Sequence, residues 1–348
     1  MIVQTAQNVS PNPGPAPLVI SRGSADAGTY QAFPDMCRLK NGDLVAVFYA
    51  GYQHVSLPRL PDWPKGGRIC LVRSRDDGRT WTTPRTIYDD AEDNRDPHIT
   101  QLPDGRLALT FFSLVPNSSA PNCFAGTGVK IAYSRDGGET WDTKGQTLVD
   151  PREKWFCSAP VRVLPSGTWL LGVYRAAAPI SAHGGVLRST DNGKTWSAPI
   201  SIGQDSPVPL DAETDVIALK DGTVFAALRC SKAGEGMRYA TSRDDGRTWS
   251  TVSDTGFHGE APYLYRMGSG AVLLGIRRRP DTVLYVSRNE TLTWKGPYQI
   301  DTVVGAYPSI AERKDGSVLI VYYTEGKESH IRLRRFQINP SGIEPLPL

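Results

Sequence analysis

The chain has 348 residues, of which 22% are charged, and its formal net charge at pH 7 is +3. This near balance excludes a polyelectrolyte tail and the basic surface typical of a nucleic-acid-binding protein. No apolar run is long enough to cross a membrane, so we expect no membrane partner. The N-terminus lacks the basic and apolar segments of a signal peptide, which leaves a cytoplasmic protein or a mature secreted form as alternatives.

The cysteines and histidines indicate neither a disulfide framework nor a metal centre. Five cysteines, without a Cys-x-x-Cys pair, cannot all form disulfides. We expect most of them to be buried thiols, which favours a reducing compartment or a fold independent of disulfides. No two histidines have the helical spacing and accompanying glutamate of a zinc site, so we expect no metal and no cofactor.

A turn motif recurs along the chain at the spacing of a structural repeat. The motif Ser-x-Asp-x-Gly-x-Thr-Trp begins at Ser74, Ser134, Ser189 and Ser242, and a decayed copy begins at Ser287. Its Asp and Gly favour a tight turn, its hydroxyls bond the local backbone, and its Trp packs beneath the turn. We therefore interpret the motif as structural. Repetition at this period indicates one supersecondary unit copied around an array.

A second repeat interleaves with the first. It consists of an apolar strand, a glycine turn and another apolar strand, and its six copies begin at Phe33, Asp96, Ala159, Glu213, Ala261 and Tyr307. Helical periodicity is absent throughout. The pattern predicts an all-β fold, a six-bladed β-propeller, in which each blade is a four-stranded meander with the turn motif between its third and fourth strands.

We expect the whole chain, residues 1–348, to form this one domain. The predicted blades span residues 32–90, 94–150, 157–204, 211–255, 259–302 and 305–338. The sixth blade has no turn motif of its own, and we expect residues 17–22 to supply its outer strand. Closing the ring in this way removes long exposed sheet edges.

Ionisable residues gather on the face opposite the turn motifs. The innermost strands should begin there, around a central funnel, and Asp96, Glu213 and Tyr307 stand at equivalent positions in alternate blades. The binding candidates on the same face are Arg95, Arg175, Arg229, Arg278, Arg279, His54, His98 and His258. A strand-initial carboxylate also caps backbone groups, and an arginine after an apolar strand is often a surface residue. Their clustering nevertheless favours a site for an anionic ligand.

The turn motif is the Asp-box, and the chain resembles the sialidase-type β-propellers. That family uses a tyrosine nucleophile assisted by a glutamate, an aspartate as acid and base, and three arginines that hold the sugar carboxylate. The resemblance implies Tyr307 as nucleophile and Glu213 as its partner. It also implies Arg229 and either Arg278 or Arg279 as carboxylate ligands, and Asp96 or Asp62 as the acid. The family's Arg-Ile-Pro phrase reads Ala32-Phe33-Pro34 here.

The resulting hypothesis is an exo-glycosidase that hydrolyses a terminal acidic sugar, sialic acid or a related sugar acid. One alternative is another glycoside hydrolase, or a polysaccharide lyase in which Arg95 or Arg229 neutralises a uronate while His98 or Tyr307 moves the proton. The other is a non-catalytic sugar-binding propeller, because one fold hosts many functions. All of these predict a carbohydrate partner.

Overall fold

The computed structural model describes residues 3–5, 14–24, 27–58, 66–117, 123–142, 144–175, 182–210, 213–326 and 328–348, with the backbone alone for residues 3–5. Within these ranges the chain forms six sheets of four or five strands each, and the only helical element is a 3₁₀ turn at Pro151–Glu153. The predicted all-β, six-bladed propeller is therefore confirmed. In this part of the chain no helix is long and apolar enough to cross a membrane.

Each of the first three blades is an antiparallel meander of four consecutive strands. Two strands precede them, β1 (Val3–Thr5) and β2 (Leu18–Ser21). Blade 1 contains β3 (Tyr30–Arg38), β4 (Leu44–Gly51), β5 (Arg68–Ser74) and β6 (Arg85–Tyr88). Blade 2 contains β7 (Asp93–Gln101), β8 (Leu107–Pro116), β9 (Phe124–Ser134) and β10 (Gln146–Thr147). Blade 3 contains β11 (Trp155–Val163), β12 (Trp169–Arg175), β13 (His183–Ser189) and β14 (Ile200–Ile202).

The other three blades differ in how their outer edges are completed. Blade 4 contains β15 (Thr214–Ala218), β16 (Val224–Leu228), β17 (Arg238–Ser242) and β18 (Ser253–Asp254). Blade 5 contains β19 (Glu260–Arg266), β20 (Val272–Arg278), β21 (Asp281–Ser287) and β22 (Thr293–Thr302), and β1 adds a parallel strand to its edge. Blade 6 contains β23 (Gly305–Glu312), β24 (Val318–Thr324) and β25 (Ile331–Asn339), with β26 (Gly342–Leu346) following.

Two segments from opposite ends of the chain share the outer edge of blade 6. The N-terminal β2 pairs antiparallel with the first half of β25, where Leu18 faces Leu333. The C-terminal β26 pairs with the second half, where Leu346 faces Arg335. The sequence repeat gives no sign of β26, because this hairpin lies beyond the last copy. The structure thus closes the ring with both ends of the chain.

The Asp-box turns have the local chemistry expected from their residue types. In the first copy, Ser74 Oγ accepts from the Gly78 amide at 2.8 Å and donates to Asp76 at 2.8 Å. Asp76 accepts from the Thr80 amide at 2.9 Å, and Trp81 Nε1 donates to the Gly78 carbonyl at 3.2 Å. Each turn thereby satisfies its own backbone groups and fixes the ends of two strands.

Two buried aspartates tie the inner strands together around the axis. Asp35 of blade 1 accepts from Ser309 Oγ of blade 6 at 2.5 Å and from the Ile99 amide of blade 2 at 2.8 Å. Asp215 of blade 4 accepts from Arg162 of blade 3 at 2.6 and 3.0 Å and from the Leu264 amide of blade 5 at 2.7 Å. Each carboxylate therefore joins three neighbouring blades in the core of the ring.

None of the five cysteines, all of which the structure describes, forms a disulfide. Cys70, Cys157 and Cys230 are buried, Cys37 is half-buried and Cys123 is exposed. Buried thiols pack as small apolar groups, so these three contribute to the core and not to a cross-link.

Candidate active site

The first residues of the inner strands converge on one end of the axis. The six equivalent positions hold Phe33, Asp96, Ala159, Glu213, Ala261 and Tyr307. In five of the six blades the pairing register shifts at this position, which marks a β-bulge. Phe33, Asp96, Ala261 and Tyr307 also have positive φ, between 47° and 53°. A bulge re-aims a side chain out of the sheet, and here it directs these side chains into the funnel.

Tyr307 and Glu213 form the centre of the ionisable cluster. Tyr307 Oη donates to Glu213 Oε1 at 2.5 Å, and Arg229 Nη1 donates to both oxygens of the same carboxylate at 2.8 and 2.9 Å. Burial alone would raise the pKa of Glu213, but the positive charge of Arg229 and the hydrogen bond from Tyr307 lower it. Burial and the charge of Glu213 raise the pKa of Tyr307 well above its usual value. The pair is thus a neutral phenol against an ionised carboxylate.

The pKa of Asp96 is shifted in the direction opposite to that of Glu213. It is buried, its Oδ2 accepts from Ser158 Oγ at 3.1 Å, and its Oδ1 has no hydrogen-bond partner among the described residues. The nearest cationic group is Arg95, whose Nη2 lies 4.0 Å from Oδ1. Burial raises the pKa of Asp96, and the negative charge of Glu213 adds to this. The pKa values of Asp96 and Glu213 are thus shifted in opposite directions, and a raised pKa suits a proton donor.

Glu260 and Arg277 extend the cluster through a second carboxylate. Arg277 donates to Glu260 Oε2 through Nε at 2.7 Å, and its Nη2 lies 2.5 Å from the same oxygen. Arg229 and Arg279 reach that oxygen at 3.6 and 3.4 Å. The Arg277 guanidinium lies 5.1 Å from the centre of the Tyr307 ring. Glu260 directly precedes the funnel position of blade 5 and was not among the predicted site residues.

Strand alternation explains which arginine of the run 277–279 faces the cluster. Arg277 is buried opposite Glu260 in the register of β19 and β20, whereas Arg278 points to the other face and is exposed. Arg279 returns to the face of Glu260, but its side chain is 60% exposed. The resemblance favoured Arg278 or Arg279; Arg277 is the buried arginine of the run, and Arg279 reaches the same glutamate from the rim. The alternation of side chains between the two faces of a strand is the sequence signal that could have identified Arg277.

Arg95 is fixed inside the protein. It is buried, stacks over the rings of Phe33 and Tyr49 at 5.1 Å each, and donates to the carbonyl of His54. Asp93 lies 3.5 Å from its Nη1. Arg95 therefore holds the loop that carries His54, and its guanidinium contacts protein groups on several sides.

His54 lies at the rim of the funnel. Its Nδ1 is 3.0 Å from Tyr30 Oη, which donates to Glu325 at 2.8 Å. Burial alone would raise the pKa of Glu325, but its bonds with His54, Tyr30 and Tyr323 lower it to about 2. A cavity of about 670 Å³ opens here between Tyr30, His54, Glu325 and the exposed Phe124. It lies beyond Phe33, whose ring is 5.0 Å from that of Tyr307.

Several other predicted site residues contact groups outside the Tyr307 cluster. His98 Nδ1 is 3.2 Å from Oδ2 of Asp35, the buried aspartate that joins blades 6, 1 and 2. The two groups are within the distance of an ion pair but lack the alignment of a hydrogen bond. Arg175 donates to the carbonyl of Glu153 at 3.4 Å, and His258 Nδ1 lies 3.1 Å from the carbonyl of Glu235. Asp62 falls outside the described residues.

Tyr174, at the end of β12, joins the funnel from blade 3. Burial raises its pKa well above the usual value, and the negative charges of Asp96 and Glu213 add to this. Its ring stacks on Phe156 at 5.7 Å. It was not among the predicted site residues, because aromatic residues at strand ends are most often core.

A second cavity, of about 700 Å³, opens at the other end of the axis. Its wall includes Arg38, Arg162, Tyr263 and Arg266, and the Tyr307 cluster does not contribute to it. In the described ranges no group of three or more His, Cys, Asp or Glu side chains is placed to hold a metal ion. The concentration of coupled acids, bases and arginines marks the funnel as the candidate active site.

The fold is that of a β-propeller, and the candidate site is a cluster of carboxyl groups, a tyrosine and arginines at one end of its axis. The family model of the BNR repeat-like domain matches residues 67–321, so the chain belongs to that sialidase-like family. A sialidase of Paraclostridium sordellii is 29% identical over 213 residues, which cover 52% of this chain and 49% of that protein. The chain spans between 34% and 49% of the length of the curated sialidases that it matches.

Solved structures resemble the chain over nearly its whole length. A protein of unknown function from Dyadobacter fermentans has a TM-score of 0.78 at 21% identity, over 92% of this chain and 98% of its own. The intramolecular trans-sialidase of Ruminococcus gnavus, in complex with oseltamivir carboxylate, has a TM-score of 0.70 at 16% identity, over 94% and 98%. At these identities the likeness shows the fold alone.

Proposed function

We propose that the chain is a retaining glycoside hydrolase in which Tyr307 is the nucleophile, Glu213 its base and Asp96 the general acid. The observation that carries this proposal is the hydrogen bond of 2.5 Å from the half-buried Tyr307 to the buried Glu213, whose carboxylate Arg229 keeps ionised. A phenol is a weak nucleophile at neutral pH, and an adjacent base that accepts its proton activates it. The names of the sialidase relatives support a glycosidase reaction.

The first half of the reaction forms a bond to Tyr307. Tyr307 Oη attacks the anomeric carbon while the glycosidic C–O bond breaks, and its proton passes to Glu213. The leaving oxygen takes the proton of Asp96, which is held by burial until then. A sugar bonded to Tyr307 and a released alcohol are the products of this step.

The second half regenerates the enzyme. Asp96, now ionised, removes a proton from a water molecule that attacks the anomeric carbon. The bond to Tyr307 breaks, and Tyr307 recovers its proton from Glu213. Two displacements at one carbon give net retention of configuration, and the only reactants are the glycoside and water.

The sialidase relatives make a terminal acidic sugar, sialic acid or a related sugar acid, the first substrate class to test. The funnel arginines Arg229 and Arg277 are the candidates that would contact its carboxylate. Arg279 would add a third, more exposed cation at the rim.

The lyase alternative has less support. It needs Arg95 or Arg229 for a uronate and His98 or Tyr307 for the proton. Arg95 is packed between two rings, and His98 is buried against Asp35. A non-catalytic sugar-binding role does not account for a neutral phenol, an ionised base and a carboxyl with a raised pKa in one funnel.

A matched pair of variants tests the proposal. Tyr307→Phe removes one hydroxyl, and we expect it to lower kcat by at least about a thousandfold while the Kd for substrate changes little. Tyr298→Phe, at the outer strand of blade 5, is the control. The assay is a panel of fluorogenic sialosides and uncharged glycosides, read for free sugar and for unsaturated product. Retained turnover in Tyr307→Phe, or an unsaturated product, contradicts the proposal.

A further inference from the structure

Glu260 occupies the position between two arginines of the funnel, the buried Arg277 and the half-buried Arg229. It accepts from Arg277 at 2.7 Å, and Arg229 and Arg279 lie 3.6 and 3.4 Å from the same oxygen. Arg229 also binds both oxygens of Glu213. Arg277 and Arg229 are therefore already paired with two buried carboxylates that belong to the protein, and Arg279, whose side chain is 60% exposed, adds a third cation beside Glu260.

A substrate carboxylate at this position would be a third anion. Desolvating an anion is costly unless it gains a matching cation, and like charges a few ångströms apart repel strongly in a buried site. Glu260 and Glu213 would both face it. The arginine donors that could compensate are turned toward these two glutamates.

The wall opposite the arginines is aromatic. Phe33 stands at the funnel position of blade 1 with only 2% of its surface exposed, and its ring lies 5.0 Å from Tyr307 and 5.2 Å from Tyr323. The Arg95 guanidinium lies behind Phe33, stacked on its ring. At this position of blade 1, Phe33 offers no hydrogen-bond donor to an anion.

We infer that Glu260 takes the place of a substrate carboxylate, so that the sugar bound against Tyr307 carries no carboxylate at its anomeric carbon. The substrate class is then an uncharged terminal glycoside. This inference rests on the proposed hydrolase for its reaction, and on Glu260, Arg229, Arg277 and Phe33 for its specificity.

The first test measures binding of one acidic probe, 2-deoxy-2,3-didehydro-N-acetylneuraminic acid, by calorimetry. Glu260→Gln keeps the shape of the side chain and removes its charge, which frees Arg277. We expect the variant to bind the probe at least about tenfold more tightly than wild type. Glu290→Gln is the matched control, because Glu290 pairs with Arg266 at 2.8 Å outside the funnel and should leave the Kd unchanged.

The outcomes separate the inference about the substrate carboxylate from the proposed hydrolase mechanism. If wild type binds the probe and Glu260→Gln binds it equally or more weakly, Glu260 is no substitute for a carboxylate and the inference fails.

The second test compares the hydrolysis of 4-methylumbelliferyl glycosides. Tyr307-dependent hydrolysis of uncharged glycosides supports the inference. Tyr307-dependent hydrolysis of the sialoside alone overturns it and leaves the proposed hydrolase standing. Hydrolysis that survives Tyr307→Phe overturns the hydrolase mechanism, and the binding test still decides the inference.

Discussion

Asp96 and Glu213 occupy equivalent positions in two blades, yet their environments separate their pKa values. Burial raises the pKa of Asp96, whereas Arg229 and Tyr307 lower that of Glu213. When the environments of two carboxyl groups shift their pKa values in opposite directions, the group with the raised pKa is assigned as the acid and the other as the base. The proposed reaction needs Asp96 protonated and Glu213 ionised, so activity should fall both above the raised pKa and below the lowered one.

Asp96→Asn tests the role of the acid. We expect kcat/KM for glycosides with alkyl leaving groups to fall about 10²–10⁴-fold, because their oxygen needs a proton. Aryl glycosides with acidic leaving groups should lose much less. The decline of kcat/KM at high pH should also disappear in the variant. An equal loss for both kinds of leaving group, with the alkaline decline unchanged, would remove Asp96 from this role.

At the scale of strands, the contact between blades 3 and 4 depends on one glycine. A Cβ at Gly172 in β12 would lie 2.0 Å from the backbone carbonyl of Thr214, next to Glu213. Gly172→Ala should therefore lower the free energy of unfolding by about 2–3 kcal/mol, since the backbone of β15 must move. Gly268→Ala is the control, because its Cβ would make only ordinary contacts at 3.5 Å and beyond. Urea unfolding measures both, and equal stabilities would show that the blades are not in close contact there.

The sequence predicted the strands of the blades, but not how all of them pair. The Asp-box and the repeated strand–turn–strand pattern predict the blades because each copy has its own local chemistry. The positions of Asp96, Glu213 and Tyr307 followed from aligning those copies. The ion pair of Glu260 with Arg277 was missed because it depends on the register of β19 against β20. The bulges, which turn the funnel residues inward, leave no compositional sign, and neither does β26.

At the scale of the whole molecule, the ring is held at its axis by Asp35 and Asp215. Burial alone would raise the pKa of Asp35, but His98, Ser309 and the Ile99 amide lower it. A carboxyl with a lowered folded-state pKa contributes stability above its unfolded pKa of about 3.9, and this stability is lost as the pH falls through the folded value. Acid should therefore loosen the contacts between blades 6, 1 and 2.

Asp35→Asn should cost about 3–5 kcal/mol in unfolding free energy at pH 7, because it breaks a buried network. The amides of Met36 and Ile99 each donate to one oxygen of Asp35, and in the variant an NH2 group would face one of them. The difference from wild type should shrink toward low pH. Asp104→Asn, in a surface pair with Arg106, serves as control and should change stability by less than about 1 kcal/mol. A stable Asp35→Asn protein at pH 7 would show that the axis needs no such tie.

The nucleophile can be identified directly by trapping. A fluorinated sugar of the accepted class, with a fluorine beside the anomeric carbon and a good leaving group, should form a covalent adduct that hydrolyses slowly. Peptide mass spectrometry should place the added mass on Tyr307 in wild type, and the Tyr307→Phe variant should remain unlabelled. An adduct on Glu213 or Glu260, or turnover with inversion and no adduct, would contradict the assignment of Tyr307 as the nucleophile.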